Sequence, residues 1–158
     1  MKNIILFTLL LTSLLNAEDL KIKANAFKAD ENTGISVFSG DVNVIKKNDE
    51  LNASEVIIYT DKKNQPIKFI AVGDVSFVIE TKQGAVYEGQ AGKVIYLPND
   101  KEYRFYKDVH LKQVNEKKEI IGEEVVLKTT EGKAYAKGVE KEPVIMIFNI
   151  PDEEEEKE

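Results

Sequence analysis

The chain has 158 residues, a formal net charge of −6 and no cysteine. The length suits one domain, the acidic balance argues against a general binder of nucleic-acid phosphates, and the lack of cysteine rules out disulfides, zinc–thiolate sites and anchoring through a lipidated N-terminal cysteine. Residues 1–17 have the form of a secretory signal peptide: Lys2 gives a positive start, residues 4–15 form an apolar run, and Ala17 is a small residue at the cleavage point. That run is too short to cross a bilayer as a helix, so the mature chain is expected to be exported and soluble.

From Leu20 onward apolar residues alternate with polar ones, β-branched residues are frequent, and turn-forming clusters recur at 30–34, 46–50, 61–65, 98–100 and 115–118. This predicts an all-β domain over residues 18–150, built from many short antiparallel strands. Three runs open on Asp-Val: Gly40-Asp41-Val42, Gly73-Asp74-Val75 and Lys107-Asp108-Val109. Second runs follow at 53–58, 91–96 and 122–127. The aspartates recur at a spacing of 33 and then 34 residues, a period that signals stacked supersecondary units sharing one continuous core.

Parity assigns one face of these runs to the interior. It holds Phe38, Val42 and Val44; Val56 and Ile58; Phe69, Val75, Phe77 and Ile79; Val94 and Tyr96; Phe105, Val109 and Leu111; and Val125 and Leu127. The intervening positions are mostly polar, among them Ser39, Asn43, Lys68, Ser76, Arg104 and His110. A long apolar face of this kind suits either a lipid-holding groove or a closed, self-packed core, and the alternation fits both. Residues 144–150 are apolar on both parities apart from Asn149, so that run is expected to be covered on both faces or to pair with another chain. Residues 151–158 are strongly acidic and are expected to form a disordered tail.

No constellation for catalysis emerges. The one histidine, His110, falls on the polar parity of a strand, and none of the zinc-protease, serine-hydrolase, P-loop or dinucleotide fingerprints occurs. Adjacent acids such as Glu123-Glu124 point to opposite faces of a strand and do not converge. The expectation is a protein that is not an enzyme and that has no catalytic residues, no metal site and no cofactor. Asn52 lies in an N-x-S sequon with Glu50 two places before it, the form that bacterial oligosaccharyltransferase prefers. It sits at a strand start, whereas acceptors belong in exposed loops.

The Gly-Asp-Val openings, Asn52-Ala53-Ser54-Glu55-Val56, Tyr87-Glu88-Gly89-Gln90-Ala91 and Ile121-Gly122-Glu123-Glu124-Val125 together resemble the OstA-like (LptA) family. The resemblance runs from about residue 20 to residue 138. It implies a twisted, open β-jelly-roll in the periplasm that carries lipopolysaccharide, with lipid A acyl chains against the interior residues named above. It also implies head-to-tail homo-oligomers that join by edge-strand pairing, and partner domains of the LptC and LptD type at the two ends of a bridge between membranes. The acidic tail and the apolar last run depart from the best-known members. Two other readings stay open: a membrane-tethered LptC-type adaptor, and a structural β-repeat surface protein with no lipid ligand.

Overall fold

The structure, a computed structural model, describes residues 19–150. The expected signal peptide (1–17) and acidic tail (151–158) lie outside the described residues. Ten strands follow one another: β1 (Leu20–Lys23), β2 (Ala26–Asp30), β3 (Ile35–Lys46), β4 (Asp49–Thr60), β5 (Pro66–Glu80), β6 (Val86–Leu97), β7 (Glu102–Gln113), β8 (Lys118–Lys128), β9 (Lys133–Lys137) and β10 (Ile145–Phe148). They form one antiparallel sheet in the order β1-β3-β4-β5-β6-β7-β8-β10, with β2 also paired to β3 and β9 also paired to β8. The all-β, antiparallel, open architecture is the expected one. The central strands are longer than the sequence pattern suggested, at 11 to 15 residues.

The extra length has a local cause. The Asp-Val pairs do not open strands; they lie in mid-strand, at bulges. Ser39 pairs with Glu55 and Val42 with Ala53, so β3 uses three steps where β4 uses two. The same shift recurs between Val72 and Val75 in β5 and between Tyr106 and Val109 in β7. At each bulge two consecutive residues take positive φ: Gly40 (78°) and Asp41 (45°), Gly73 (83°) and Asp74 (45°), Lys107 (67°) and Asp108 (48°). Glycine adopts this region freely, and aspartate tolerates it because its short polar side chain bonds locally. The Asp-Val repeat is therefore a stack of three bulges, each bending its strand.

The bends fold the sheet into two facing layers. The first layer holds β2, the leading halves of β3, β5 and β7, the trailing halves of β4, β6 and β8, and β9. The second holds β1, the other halves, and β10. Contacts between layers fix them face to face. The Phe77 and Phe105 rings lie 4.5 Å apart, Tyr103 Oη donates to Asp49 Oδ2 at 3.0 Å, and Lys82 N–H donates to the Thr129 carbonyl at 3.1 Å. Among the described residues two edges remain unclosed, β1 with β2 at one end and β9 with β10 at the other.

The core fills the space between the layers. Ten side chains there are almost fully buried, among them Phe105, Ile79, Leu111 and Leu127, each worth about 1.5–3 kcal/mol relative to exposure. Within the run at 144–150, β10 pairs along one side with β8 of its own chain and has no strand on its other side among the described residues, with Ile145, Met146, Ile147 and Phe148 about half exposed.

The outer faces differ in a way the alternation did not reveal. On the second layer one row reads Lys23, Asn43, Asn52, Ser76, Gln90, His110, Ile121, Ile145, which is polar from β1 through β7 and apolar only on β8 and β10. On the first layer the equivalent row reads Lys28, Val37, Ile57, Ile70, Ile95, Arg104, Val126, Tyr135. Four consecutive strands thus present aliphatic side chains on the outer side of the first layer.

Candidate functional site

The interlayer space is the candidate site, and the sixteen residues expected on the interior face all border it. Twelve are buried in the core cluster; Phe38, Val44, Phe69 and Tyr96 are partly buried and pack against it. The register supplies the reason. Interior positions step by four across each bulge (38 to 42, 71 to 75, 105 to 109), which preserves parity. On the partner strands they step by three: Ala53 to Val56, Ala91 to Val94, Gly122 to Val125.

That three-residue step hid part of the site. Leu51, Ala53, Tyr87, Ala91 and Ile120 also face the interior, and a search at strict period two does not join them to Val56, Val94 and Val125. Tyr103 and Ala71, which share the interior parity of Phe105 and Phe69 in the sequence, are buried in the same cluster, and Ile22 and Ala85 pack against it. The signal was present as an apolar alternation that skips one residue, repeated in three successive segments.

Midway along, the space is closed by the Phe77–Phe105 contact. Toward the β3–β4 turn it opens into a cavity of about 270 Å³, walled by Leu20, Val44, Leu51, Val56, Phe69, Ile79, Tyr96 and Tyr103. Aromatic rings line one wall in sequence: Phe69 is 5.9 Å from Tyr96, and Tyr96 stacks on Tyr103 at 4.4 Å. The rim is charged, with Lys46, Asp49, Glu50 and Lys101.

Asp49 and Tyr103 tie the two layers together at this mouth. Asp49 accepts the Glu80 backbone N–H at 2.9 Å and the Tyr103 hydroxyl at 3.0 Å. Burial raises the Asp49 pKa above the ordinary carboxylate value, against the lowering effects of those two bonds and of Lys46. Burial likewise pushes the Tyr103 hydroxyl well above the usual phenol range, reinforced by the Asp49 charge. Lys46 Nζ donates to Tyr96 Oη at 3.4 Å.

The remaining residues of interest lie elsewhere. His110 is on the outer face of the second layer, exposed, with its Nε2 2.8 Å from Glu119 Oε2. Asn52 is also on that face, inside β4 rather than in a loop, and its Oδ1 accepts from Asn43 Nδ2 at 2.9 Å. Among the described residues no group of three or more His, Asp or Glu side chains is placed to hold a metal ion.

A search of curated proteins finds no match to this chain. Among solved structures, the chain is similar to LptH, the LptA-homologous periplasmic component of the conserved lipopolysaccharide transport device from Pseudomonas aeruginosa. The identity is 17%, the match covers 84% of this chain and 96% of that one, and the TM-score is 0.75. At that identity the likeness establishes the fold. The family model described as "LptA/(LptD N-terminal domain) LPS transport protein" matches residues 21–133, from β1 into β9 and across all three bulges. The chain belongs to the LptA/LptD N-terminal domain family of lipopolysaccharide transport proteins.

Proposed function

We propose that this chain is a periplasmic carrier of lipopolysaccharide, one unit of a bridge from the inner to the outer membrane, and that its interlayer groove holds lipid A acyl chains. The observation that carries the reading is an apolar interior with an open mouth in a chain of this family. Each methylene moved from water into such a space gains about 0.8 kcal/mol, so acyl chains bind there without any dedicated ion pair. A cavity of 270 Å³ falls just under the range of small-molecule pockets, about 300–1,000 Å³. It accepts part of one chain, and a whole lipid A requires the layers to separate beyond the Phe77–Phe105 contact. The chain acts here as a carrier rather than an enzyme.

The unpaired edges of β1 and β2 and of β9 and β10 support end-to-end assembly. Strand addition between chains uses the backbone donors and acceptors that an open sheet leaves free. The partners are further copies of this chain and OstA-like domains of the LptC and LptD type.

Photo-crosslinking in cells tests the reading. A photoreactive residue at Leu51, Phe69 or Phe77 labels lipopolysaccharide, and one at Asn43, Ser76 or His110 on the outer face does not. Equal labelling at the two sets, or none at either, overturns the groove assignment.

A further inference from the structure

The outer face of the first layer is apolar where an exposed sheet face is ordinarily polar, and the groove does not explain it. Val37, Ile57, Ile70 and Ile95 lie side by side on β3, β4, β5 and β6, each partly exposed. Ile35, Val72 and Leu97 adjoin them in the flanking rows. Contiguous apolar surface of this kind marks an interaction site rather than a solvated face.

Its surround identifies the partner. Lys28 precedes the aliphatic row and Arg104 ends it, while Lys68 and Lys93 stand in the flanking rows on either side. Two of these cations rest on tyrosines of the same face: Lys68 Nζ is 5.0 Å from the Tyr59 ring centre and Lys93 Nζ is 6.0 Å from that of Tyr106. Of the acids here, Glu102 is buried against Arg104, and Asp30 caps its own turn by accepting the N–H groups of Asn32 and Thr33. Glu55, beside Val72, and Glu124, opposite Tyr106 in the same flanking row, are the remaining ones near the row. Over the three rows seven cations (Lys28, Lys68, Lys93, Arg104, Lys128, Lys133 and Lys137) stand with four acids (Asp30, Glu55, Glu102 and Glu124), so this face carries an excess of basic charge in a chain whose net charge is −6.

Apolar side chains ringed by lysine and tyrosine match a lipid–water interface. Aliphatic groups enter the acyl boundary there, tyrosines sit at headgroup depth, and lysine stems lie along apolar surface with their ammonium groups in water. A second copy of the same face does not fit, because it would set the basic rims against each other. We infer that the outer face of the first layer docks reversibly on an anionic phospholipid bilayer, a surface distinct from the groove. The contact holds the carrier against a membrane with its second layer turned to the aqueous phase.

Vesicle sedimentation of the mature chain tests this. Phosphatidylethanolamine vesicles containing phosphatidylglycerol should retain the protein, and phosphatidylcholine vesicles should not. Each lysine near an anionic surface contributes about fivefold in affinity, so Lys68→Gln with Lys93→Gln should weaken binding about 25-fold. Ile57→Thr with Ile70→Thr keeps β-branched side chains on the strands and should abolish retention, while leaving thermal unfolding cooperative and lipopolysaccharide crosslinking at Phe69 unchanged. Retention by neutral vesicles, no retention by either kind, or full retention of either double variant overturns the inference. Failure of groove crosslinking alone leaves it standing, because the two readouts use opposite faces of the layer.

Discussion

Tyr103→Phe removes a single oxygen atom at the point where the two layers are tied, and its cost should depend on pH. The lost bond runs from the Tyr103 hydroxyl to the Asp49 carboxylate. A hydrogen bond to a charged group contributes about 1.5–3 kcal/mol, and a neutral one about 0.5–1.5. The Asp49 pKa is already raised, burial being the main cause, and the Tyr103 bond is one of the interactions holding it down. The variant therefore raises it further. An aspartate whose folded pKa exceeds its unfolded one binds its proton more tightly when folded. Its contribution to stability is fully present below the unfolded pKa, about 3.9, and is lost as pH rises through the folded value. The variant should thus cost about 1.5–3 kcal/mol near pH 7 and about half that near pH 3.5, where a carboxyl with a raised pKa is mostly protonated in both proteins. Guanidinium unfolding followed by circular dichroism at the two pH values measures it. Asp49→Asn provides the control, since its amide oxygen still accepts the Glu80 N–H. Asp49→Ala leaves that N–H and the Tyr103 hydroxyl without an acceptor and should cost at least about 1 kcal/mol more than Asn. An equal cost of Tyr103→Phe at both pH values, or of Asn and Ala, would refute the account of the interlayer tie.

Gly89→Ala should be among the most damaging single changes, because the new Cβ would meet the His110 carbonyl oxygen at 1.9 Å and drive β6 from β7; a loss above about 3 kcal/mol should appear as a Tm drop of more than about 10 °C. Gly73 and Gly84 share a φ of 83°, but a Cβ at Gly73 meets Ser54 Oγ at 2.5 Å and a Cβ at Gly84 meets nothing within 4 Å. Ala at Gly84 should cost only the left-handed penalty of about 1–2 kcal/mol, and Ala at Gly73 should cost clearly more; equal values by urea titration would show that the Ser54 contact is immaterial. Phe105→Ala empties the centre of the interlayer core beside Phe77 and should cost about 3–5 kcal/mol in the same titration; a cost below about 1 kcal/mol would mean that the layers already part freely there.

Much of the interior was legible in the alternation. All sixteen expected interior residues lie in or against the interlayer core, and period two survives a four-residue bulge step, as from Phe38 to Val42. Ala53, Tyr87 and Ala91 fall outside that alternation, because the partner strands step by three at the same bend and a fixed period reverses there. The Asp-Val repeat reads in the sequence as three strand openings. A glycine and an aspartate at positive φ punctuate a turn and a mid-strand bulge alike, and only pairing on both sides of Gly73-Asp74 separates the two.

The amino-acid sequence by itself determined the all-β class, the repeat of three units and the apolar inner face, since each follows from local spacing and backbone preference. Tertiary structure alone decided which outer face is apolar and which is polar. Ile57, Ile70 and Ile95 are far apart along the chain, and they become one row only when the register of β4, β5 and β6 sets them opposite one another. It also decided that Asp49 meets Tyr103, across a sheet folded back on itself. A contact between layers depends on where the bends place distant strands, and local pattern carries no record of that placement.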